Sequence, residues 1–286
     1  LIATAYFSYS SGILSKTAAI IGKTEDAKKY AKLSDDIKKA FVNEYVTPSG
    51  RLVSHTQTAY SLALAFNLLP ENLIPKAASF LAEDVKKFGH LTTGFVGTPL
   101  LCKTLSANGY EDLAFMLLNR KEYPSWLYPV TQGATTIWER WDGQKPDGSF
   151  QDVGMNSFNH YAYGAIGEWL YHYVAGMDID PKNPGYKHII LAPHQGGGLT
   201  NANAEFLSLY GKIKSAWKMD GTDFVYEVTV PANTTATVTL PGAKSELLMM
   251  NSQPLTTSAK ESLKQSEKGV SLTIGSGNYT FRYPFK

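Results

Sequence analysis

The 286-residue sequence contains one cysteine, Cys102, and no apolar run long enough to cross a membrane. A single cysteine excludes an internal disulfide framework and a cysteine metal cluster, so Cys102 is interpreted as a small buried apolar residue. The 27 basic residues exceed the 25 acidic residues by only two charges. This balance gives no support for nucleic acid or an anionic membrane as a partner.

Signatures of metal and cofactor chemistry are also missing. The six histidines show neither H-x-x-x-H nor H-E-x-x-H spacing, and no glycine-rich phosphate loop follows a predicted strand. No G-x-S-x-G nucleophile elbow is present either. We therefore predict that the chain binds no metal and no cofactor.

Apolar residues recur at the helical period of 3.6 through roughly the first 180 residues. This pattern predicts seven helices, joined as antiparallel hairpins by short connections. The helices are predicted at residues 3–21, from residue 24 onwards, and at residues 56–69, 71–88, 97–107, 110–120 and 156–175.

The period changes to two after Pro184 and Gly185. Residues 224–230, 236–240 and 270–283 are rich in β-branched and aromatic side chains, many of them alternating with polar ones, and glycines and prolines punctuate the region. Such alternation predicts an antiparallel β-sandwich of about 100 residues. We therefore predict a helical domain at residues 1–185 and a β-sandwich domain at residues 186–286.

Aromatic residues concentrate between residues 126 and 169, where four of the five tryptophans lie. A saccharide pocket needs flat aromatic platforms beside carboxylates, because sugar rings present apolar faces and polar edges. A tryptophan-rich packing core would give the same composition, and that interpretation is favoured for Trp169. Trp138 and Trp141 are interpreted as site residues, because they flank a carboxylate and a cation.

That carboxylate, Glu139, is the first candidate for a catalytic group. Placement between two indoles would remove part of its solvent, which disfavours the charged form and favours acceptance of a proton. Arg140 or Asp142 could orient it. A surface ion pair between Glu139 and Arg140 would explain the same spacing and remains open at this point.

His160 is the second candidate. The pattern places it in the first turns of the helix predicted from about Asn156, where it could hydrogen-bond a substrate hydroxyl. A purely structural histidine is the alternative. Asp147 and Asp152 sit in a loop that contains glycine, proline and aspartate, and they are interpreted as turn residues.

Six longer stretches occur together in a fixed order, and together they resemble the bacterial α-L-rhamnosidases of glycoside hydrolase family 78. They are Thr4–Phe7, Thr56–Tyr60, Leu91–Pro99, Tyr123–Tyr128, Gly133–Trp141 and Met155–Gly164. The resemblance extends from residue 1 to about residue 217.

The resemblance implies an (α/α)6 barrel of twelve helices, about seven of them in this chain, followed by a C-terminal β-sandwich. It also implies hydrolysis of terminal α-L-rhamnosyl groups with inversion at the anomeric carbon. In that family the glutamate matching Glu139 is the general base, and the histidine matching His160 contacts the sugar. Trp141 completes the expected set as a substrate-binding aromatic residue.

The family's general acid has no counterpart in these 286 residues. An inverting glycosidase needs two carboxyl groups roughly 6.5–9.5 Å apart, so we expect the acid in an upstream half of the same polypeptide. A six-hairpin glycosidase of different sugar specificity and a non-catalytic carbohydrate-binding protein remain alternatives. A periplasmic or extracellular location is favoured over a cytoplasmic one, and any export signal would lie upstream of Leu1.

Overall fold

The computed structural model describes residues 1–255 and 262–285. The chain divides into two compact units, Leu1–Ile166 and Gly167–Lys286, which we call the helical unit and the β unit. The domain division at residue 185, expected from the change of period, stays a prediction.

Seven α-helices lie in the helical unit, and six of them match predicted helices. The one that was not predicted is the short helix α7. The seven are α1 (Ile2–Ile20), α2 (Thr24–Tyr45), α3 (Gln57–Ala65), α4 (Ile74–Phe88), α5 (Thr98–Ala107), α6 (Glu111–Asn119) and α7 (Leu127–Thr131).

Helices α1 and α2 form a hairpin that packs through small side chains. Ser8 and Ser34 are buried and bond reciprocally: the Ser8 hydroxyl donates to the Ser34 carbonyl at 3.1 Å, and the Ser34 hydroxyl to the Ser8 carbonyl at 2.9 Å. Gly12 also faces Ser34, and a Cβ added to it would lie 3.4 Å from the Ser34 hydroxyl oxygen. Because small residues face α2, most large apolar residues of α1 lie on its other faces.

Contacts between successive hairpins order the helical unit. Helix α3 contacts α1, α4 and α5, and α5 contacts α6 and the helical turn at Ala162–Ala165. The buried side chains of α3 explain this central position, since nearly every side of the helix is apolar and covered.

The helix predicted at residues 156–175 is wrong in its first part. Helical structure begins with a 3-10 turn at Ala162–Ala165, continues as α8 (Ile166–Trp169) and ends as a π-helix at Leu170–Val174. His160 therefore precedes the helix instead of lying in its first turns. The cause is a competing set of backbone hydrogen bonds, described below, that ties residues 157–160 to residues 136–139.

The β unit holds two sheets, and the predicted β-sandwich is confirmed. One sheet has the strand order β1-β2-β6-β10-β9 and the other β3-β4-β5-β11-β7-β8. Among the strands in the described residues, all pairs are antiparallel except β2 with β6. The strands are β1 (Met177–Ile179), β2 (His188–Leu191), β3 (Asn201–Ser208), β4 (Gly211–Asp220), β5 (Asp223–Val230), β6 (Thr235–Pro241), β7 (Met249–Met250), β8 (Gln253–Pro254), β9 (Lys264–Ser266), β10 (Gly269–Ile274) and β11 (Gly277–Pro284).

Aromatic side chains of β4, β5 and β11 fill the core of the β unit. Trp217 stacks on Phe224 with ring centres 5.5 Å apart. The Tyr226 and Ser215 hydroxyls lie 2.7 Å apart, and the Tyr283 hydroxyl donates to the Pro241 carbonyl at 2.9 Å. Burial raises the pKa of both tyrosines, so the phenols stay protonated and their hydroxyls stay satisfied.

Candidate active site

The start of α3 anchors the loop at residues 90–97. Gln57 is fully buried; its amide nitrogen donates to the His90 carbonyl at 3.1 Å, and its amide oxygen accepts from the Thr92 backbone at 2.8 Å. At the other end of the loop, a Cβ added to Gly97 would lie 2.5 Å from the Thr58 hydroxyl. Only glycine fits this approach, so the loop lies directly on the first turn of α3.

Two irregular segments, residues 136–139 and 157–160, pair beside this loop. The Glu139 backbone donates to the Ser157 carbonyl at 2.8 Å, and the His160 backbone donates to the Ile137 carbonyl at 2.9 Å. The Thr136 hydroxyl also donates to the Phe158 carbonyl. These bonds bring the two candidates, Glu139 and His160, onto neighbouring stretches of chain.

One hydrogen bond fixes the half-buried carboxylate of Glu139. Its Oε2 accepts from the Ser157 backbone at 2.8 Å. Its Oε1 has no hydrogen-bond partner among residues 1–255 and 262–285. The group is thus oriented through one oxygen and open at the other.

The charged neighbours of Glu139 pair with each other. Arg140 Nε lies 3.1 Å from Asp142 Oδ1, and this hydrogen bond raises the pKa of Arg140. The Glu139–Arg140 ion pair that the spacing left open is therefore not the one formed. Because Asp142 occupies Arg140, the Glu139 carboxylate keeps its free oxygen.

Trp141 lies in an aromatic cluster. Its ring stacks on Tyr163 with centres 3.8 Å apart and planes within 9°, and it meets Trp126 edge-on at 5.6 Å. Its Nε1 donates to the Thr93 carbonyl at 3.4 Å. Burial raises the pKa of Tyr163, which is consistent with a ring covered by its neighbours.

Trp138 belongs to a second contact. Only 6% of its surface is exposed, and it meets Phe158 edge-on at 5.2 Å. A cavity of about 40 Å³ lies between the two tryptophan contacts, lined by Trp126, Ile137, Trp138, Arg140, Trp141 and Tyr163 among others. It has room for little more than one water molecule, far below what a sugar needs.

His160 is held by ring contacts and by one hydrogen bond. Its imidazole stacks on Phe95 at 4.7 Å with planes within 11°, and on Tyr161 at 5.6 Å. The Ala162 backbone donates to His160 Nδ1 at 3.3 Å. Phe95 also lies 5.2 Å from Tyr163, so one chain of ring contacts links His160 to Trp141.

Most of the chain matches two models of protein families. Residues 1–174 match the model of the bacterial alpha-L-rhamnosidase 6 hairpin glycosidase domain, and residues 176–253 match that of the bacterial alpha-L-rhamnosidase C-terminal domain. The chain belongs to the bacterial alpha-L-rhamnosidase family.

Two alpha-L-rhamnosidases are similar in sequence to most of the chain. The chain is 45% identical over 242 residues to an alpha-L-rhamnosidase of Streptomyces avermitilis, covering 84% of the chain and 23% of that relative. It is 41% identical over 286 residues to one of Formosa agariphila, covering 99% of the chain and 31% of the relative. The chain thus spans about a quarter to a third of these relatives.

Solved structures of alpha-L-rhamnosidases share the fold of this chain. The crystal structure of the Streptomyces avermitilis alpha-L-rhamnosidase complexed with L-rhamnose matches with a TM-score of 0.89 and 39% identity, covering 98% of this chain and 26% of that one. The Aspergillus terreus enzyme matches with a TM-score of 0.84 and 34% identity, covering 98% and 30%.

The sequence patterns did not identify two aromatic residues that contact the predicted site residues His160 and Trp141. Phe95 and Tyr163 lie inside the stretches that carry the resemblance, yet neither was assigned a role. An aromatic residue surrounded by threonine and glycine in a loop, as Phe95 is, was the available signal. Tyr163 could be recognised only from its contact with Trp141.

Asp147, Asp152 and Trp169 have the structural roles that the sequence predicts. Asp147 accepts from the backbone and the hydroxyl of Ser149, which lowers its pKa, and Asp152 accepts from the Gly154 backbone at 2.8 Å. Both are turn residues, as predicted. Trp169 is buried, as the packing interpretation predicted.

The described part of the chain contains no cluster of three or more histidine, cysteine, aspartate or glutamate side chains placed to hold a metal ion. Across the same residues, no helix has the length and apolar character needed to span a membrane.

Proposed function

We propose that this chain supplies the general-base part of an enzyme that releases terminal α-L-rhamnose from glycosides or polysaccharides with inversion. The observation that carries the proposal is the carboxylate of Glu139, fixed by Ser157 through one oxygen and open at the other. A base that must take a proton from water needs this combination of fixed orientation and a free lone pair.

The family supports the choice of substrate. The relatives named above are alpha-L-rhamnosidases, and one solved relative is complexed with L-rhamnose. Since the chain spans less than a third of these relatives, the activity proposed belongs to a longer polypeptide that includes residues 1–286.

In the proposed reaction, Glu139 accepts a proton from a water molecule as the water oxygen attacks the anomeric carbon. The bond from that carbon to the leaving oxygen breaks, and an acid outside this chain protonates the departing oxygen. The balance requires both carboxyl groups, one on each side of the bond. The upstream half of the same polypeptide is the proposed source of the acid.

His160 and Trp141 are proposed to bind the sugar. The imidazole can hydrogen-bond a sugar hydroxyl, and the indole offers an apolar surface to the C–H face of the ring. Their support is the chain of ring contacts that joins them beside Glu139.

The test is Glu139→Gln in the complete polypeptide, assayed on an aryl α-L-rhamnoside. We expect kcat to fall at least about 100-fold, because glutamine cannot accept the proton. Glu83→Gln, on the exposed side of α4, makes the same chemical change away from the site and should leave kcat unchanged.

Two further readouts separate a base from other roles. Azide needs no deprotonation, so it should restore turnover of Glu139→Ala and give a glycosyl azide of inverted configuration. Proton NMR during wild-type hydrolysis should show β-L-rhamnose as the first product. A Glu139→Gln kcat within about threefold of wild type would assign the base to another residue.

A further inference from the structure

The imidazole of His160 is restrained on its faces and at one of its two nitrogens. Phe95 and Tyr161 stack on it with planes within 11° and 6°. At the edge, the Ala162 backbone N–H donates to Nδ1 at 3.3 Å. These contacts leave Nε2 as the ring nitrogen available to a ligand.

The hydrogen bond from Ala162 also decides which nitrogen carries the proton. A backbone N–H can only donate, so Nδ1 must be the acceptor and must carry no proton. In the neutral ring the proton is then on Nε2.

Phe95 is well placed to fix the plane of this ring, because its own loop is anchored at several points. Gln57 binds the loop at His90 and Thr92, and the Thr93 and Thr98 hydroxyls lie 2.8 Å apart in the interior. Phe95 itself remains 43% exposed. Its contacts are with the site rings of His160 and Tyr163, which shows that it is not simply part of the helical core.

We infer that His160 presents Nε2–H as a hydrogen-bond donor to an oxygen of the sugar, and that Phe95 is a positioning residue that holds the imidazole in that orientation. The inference rests on the proposed function, since it specifies how His160 acts at that site. It assigns a role to Phe95 and a single protonated nitrogen to His160.

Substitutions of His160 test which nitrogen matters. A glutamine side chain can place an amide N–H near the position of Nε2, whereas asparagine reaches only the position of Nδ1. In the complete polypeptide, we expect His160→Gln to keep kcat/KM within about fivefold of wild type and His160→Asn to lose as much as His160→Ala. The reverse order would overturn the assignment of the proton.

Neutron diffraction from deuterium-exchanged crystals of the complete polypeptide gives a second measurement that does not depend on turnover. The expected result is a deuteron on Nε2 of His160 and none on Nδ1. A deuteron on Nδ1 would overturn the inference even if every kinetic result were as expected.

Substitution of Phe95 tests its positioning role. Phe95→Leu should lower kcat/KM roughly three- to tenfold, the range expected for losing one ring contact, while Phe95→Tyr, which keeps the ring, should stay near wild type. Phe88→Leu is the matched control, because Phe88 is 47% exposed and lies beside His90 with tilted, unstacked rings. It should leave kcat/KM unchanged.

A double-mutant cycle separates positioning from general packing. If Phe95 acts through His160, adding Phe95→Leu to His160→Ala should cause no further loss. Full additivity, or an unchanged Phe95→Leu, would overturn the positioning role. These outcomes are distinguishable from failure of the proposed function, because that failure would appear as an active Glu139→Gln.

Discussion

The strands of the β unit and helix α1 of the helical unit differ in how far their large apolar side chains are buried. In the β unit the biggest aromatic residues, among them Phe224, Tyr226 and Phe281, are fully buried. In the helical unit, α1 leaves Phe7 54% exposed and Ile20 84% exposed. Both units enclose a core, but α1 turns its small residues towards α2 and most of its large ones outward. In the β unit the most exposed large residues, Leu207 and Leu209, lie at the turn between β3 and β4.

This difference indicates that the apolar surface of α1 is meant to be covered. Patches of this kind on a soluble protein mark surfaces that bind other protein surfaces. The resemblance to a twelve-helix barrel suggests which surface, namely the upstream helices of the same polypeptide. On this view, helices of the longer polypeptide would cover the exposed face of α1.

The largest expected effect is therefore on activity. Residues 1–286 expressed alone should not hydrolyse an aryl α-L-rhamnoside, because one carboxylate can activate water but cannot protonate the leaving oxygen. The same protein should also bind a hydrophobic dye through the exposed apolar residues of α1.

The measurement uses purified protein free of host glycosidases, with Glu139→Gln in residues 1–286 as its control. Turnover that depends on Glu139 would contradict the prediction, because a second carboxyl group, from Asp142, Asp152 or Glu168, would then have to be the acid.

The contrast in burial predicts a large difference in stability. In residues 1–286, Phe281→Ala should lower the free energy of unfolding by about 3–5 kcal/mol, since it empties a closed core. Phe7→Ala should change it by less than about 0.5 kcal/mol, since the ring is half exposed. Urea unfolding followed by circular dichroism measures both.

The same pair can be compared in the complete polypeptide. If upstream helices cover α1, Phe7→Ala should there become costly, approaching the effect of Phe281→Ala. A Phe7 effect that is equally small in both contexts would mean that α1 faces solvent in the complete protein.

Sequence patterns predicted the strands of the β unit and most helices of the helical unit. Strands such as β6 and β11 could be predicted because the alternation of residue types coincides with the alternation of burial. The helical pattern likewise predicted the hairpins, since their apolar stripes are local. Both signals come from neighbours in sequence, so a single chain carries them in full.

Sequence patterns fail to predict the structure of the segment that carries the candidate site, residues 136–160. Residues 157–160 have a composition that permits a helix, but their backbone groups bond residues 136–139 instead. Periodicity does not record a partner 18 residues away. The contact of Phe95 with His160 spans 65 positions. Local patterns made Glu139 and His160 candidates but left a surface ion pair and a structural histidine as alternatives, and the resemblance implied the roles of both.

A smaller effect is expected from His160→Ala in the complete polypeptide. Removing a hydrogen bond to the sugar should cost roughly 1.5–3 kcal/mol of transition-state binding, measured as a fall in kcat/KM. Tm should change little, because His160 lies on a half-buried loop outside the core. A large fall in Tm with kinetics intact would show that the histidine is structural.

The smallest expected effect concerns the reactivity of the Cys102 thiol. It tests whether the interior of the helical unit is as exposed as the outer face of α1. Cys102 lies on α5 and faces α6, with its Sγ 4.0 Å from the Ala114 carbonyl oxygen. Burial raises the pKa of its thiol to about 12. Only roughly one thiol in ten thousand is then ionised at pH 8, and the thiolate is the form that reacts.

We therefore expect residues 1–286 to show almost no reaction with a thiol reagent at pH 8 until urea unfolds the helical unit. Ile20→Cys/Cys102→Ala is the matched control: it moves the only cysteine to the exposed end of α1 and should react at once. If Cys102 reacted as fast as the control, the interior between α5 and α6 would be as open as α1. The contrast would then lie between a closed β unit and a loosely packed helical unit, and not between one uncovered helix and its well-packed neighbours.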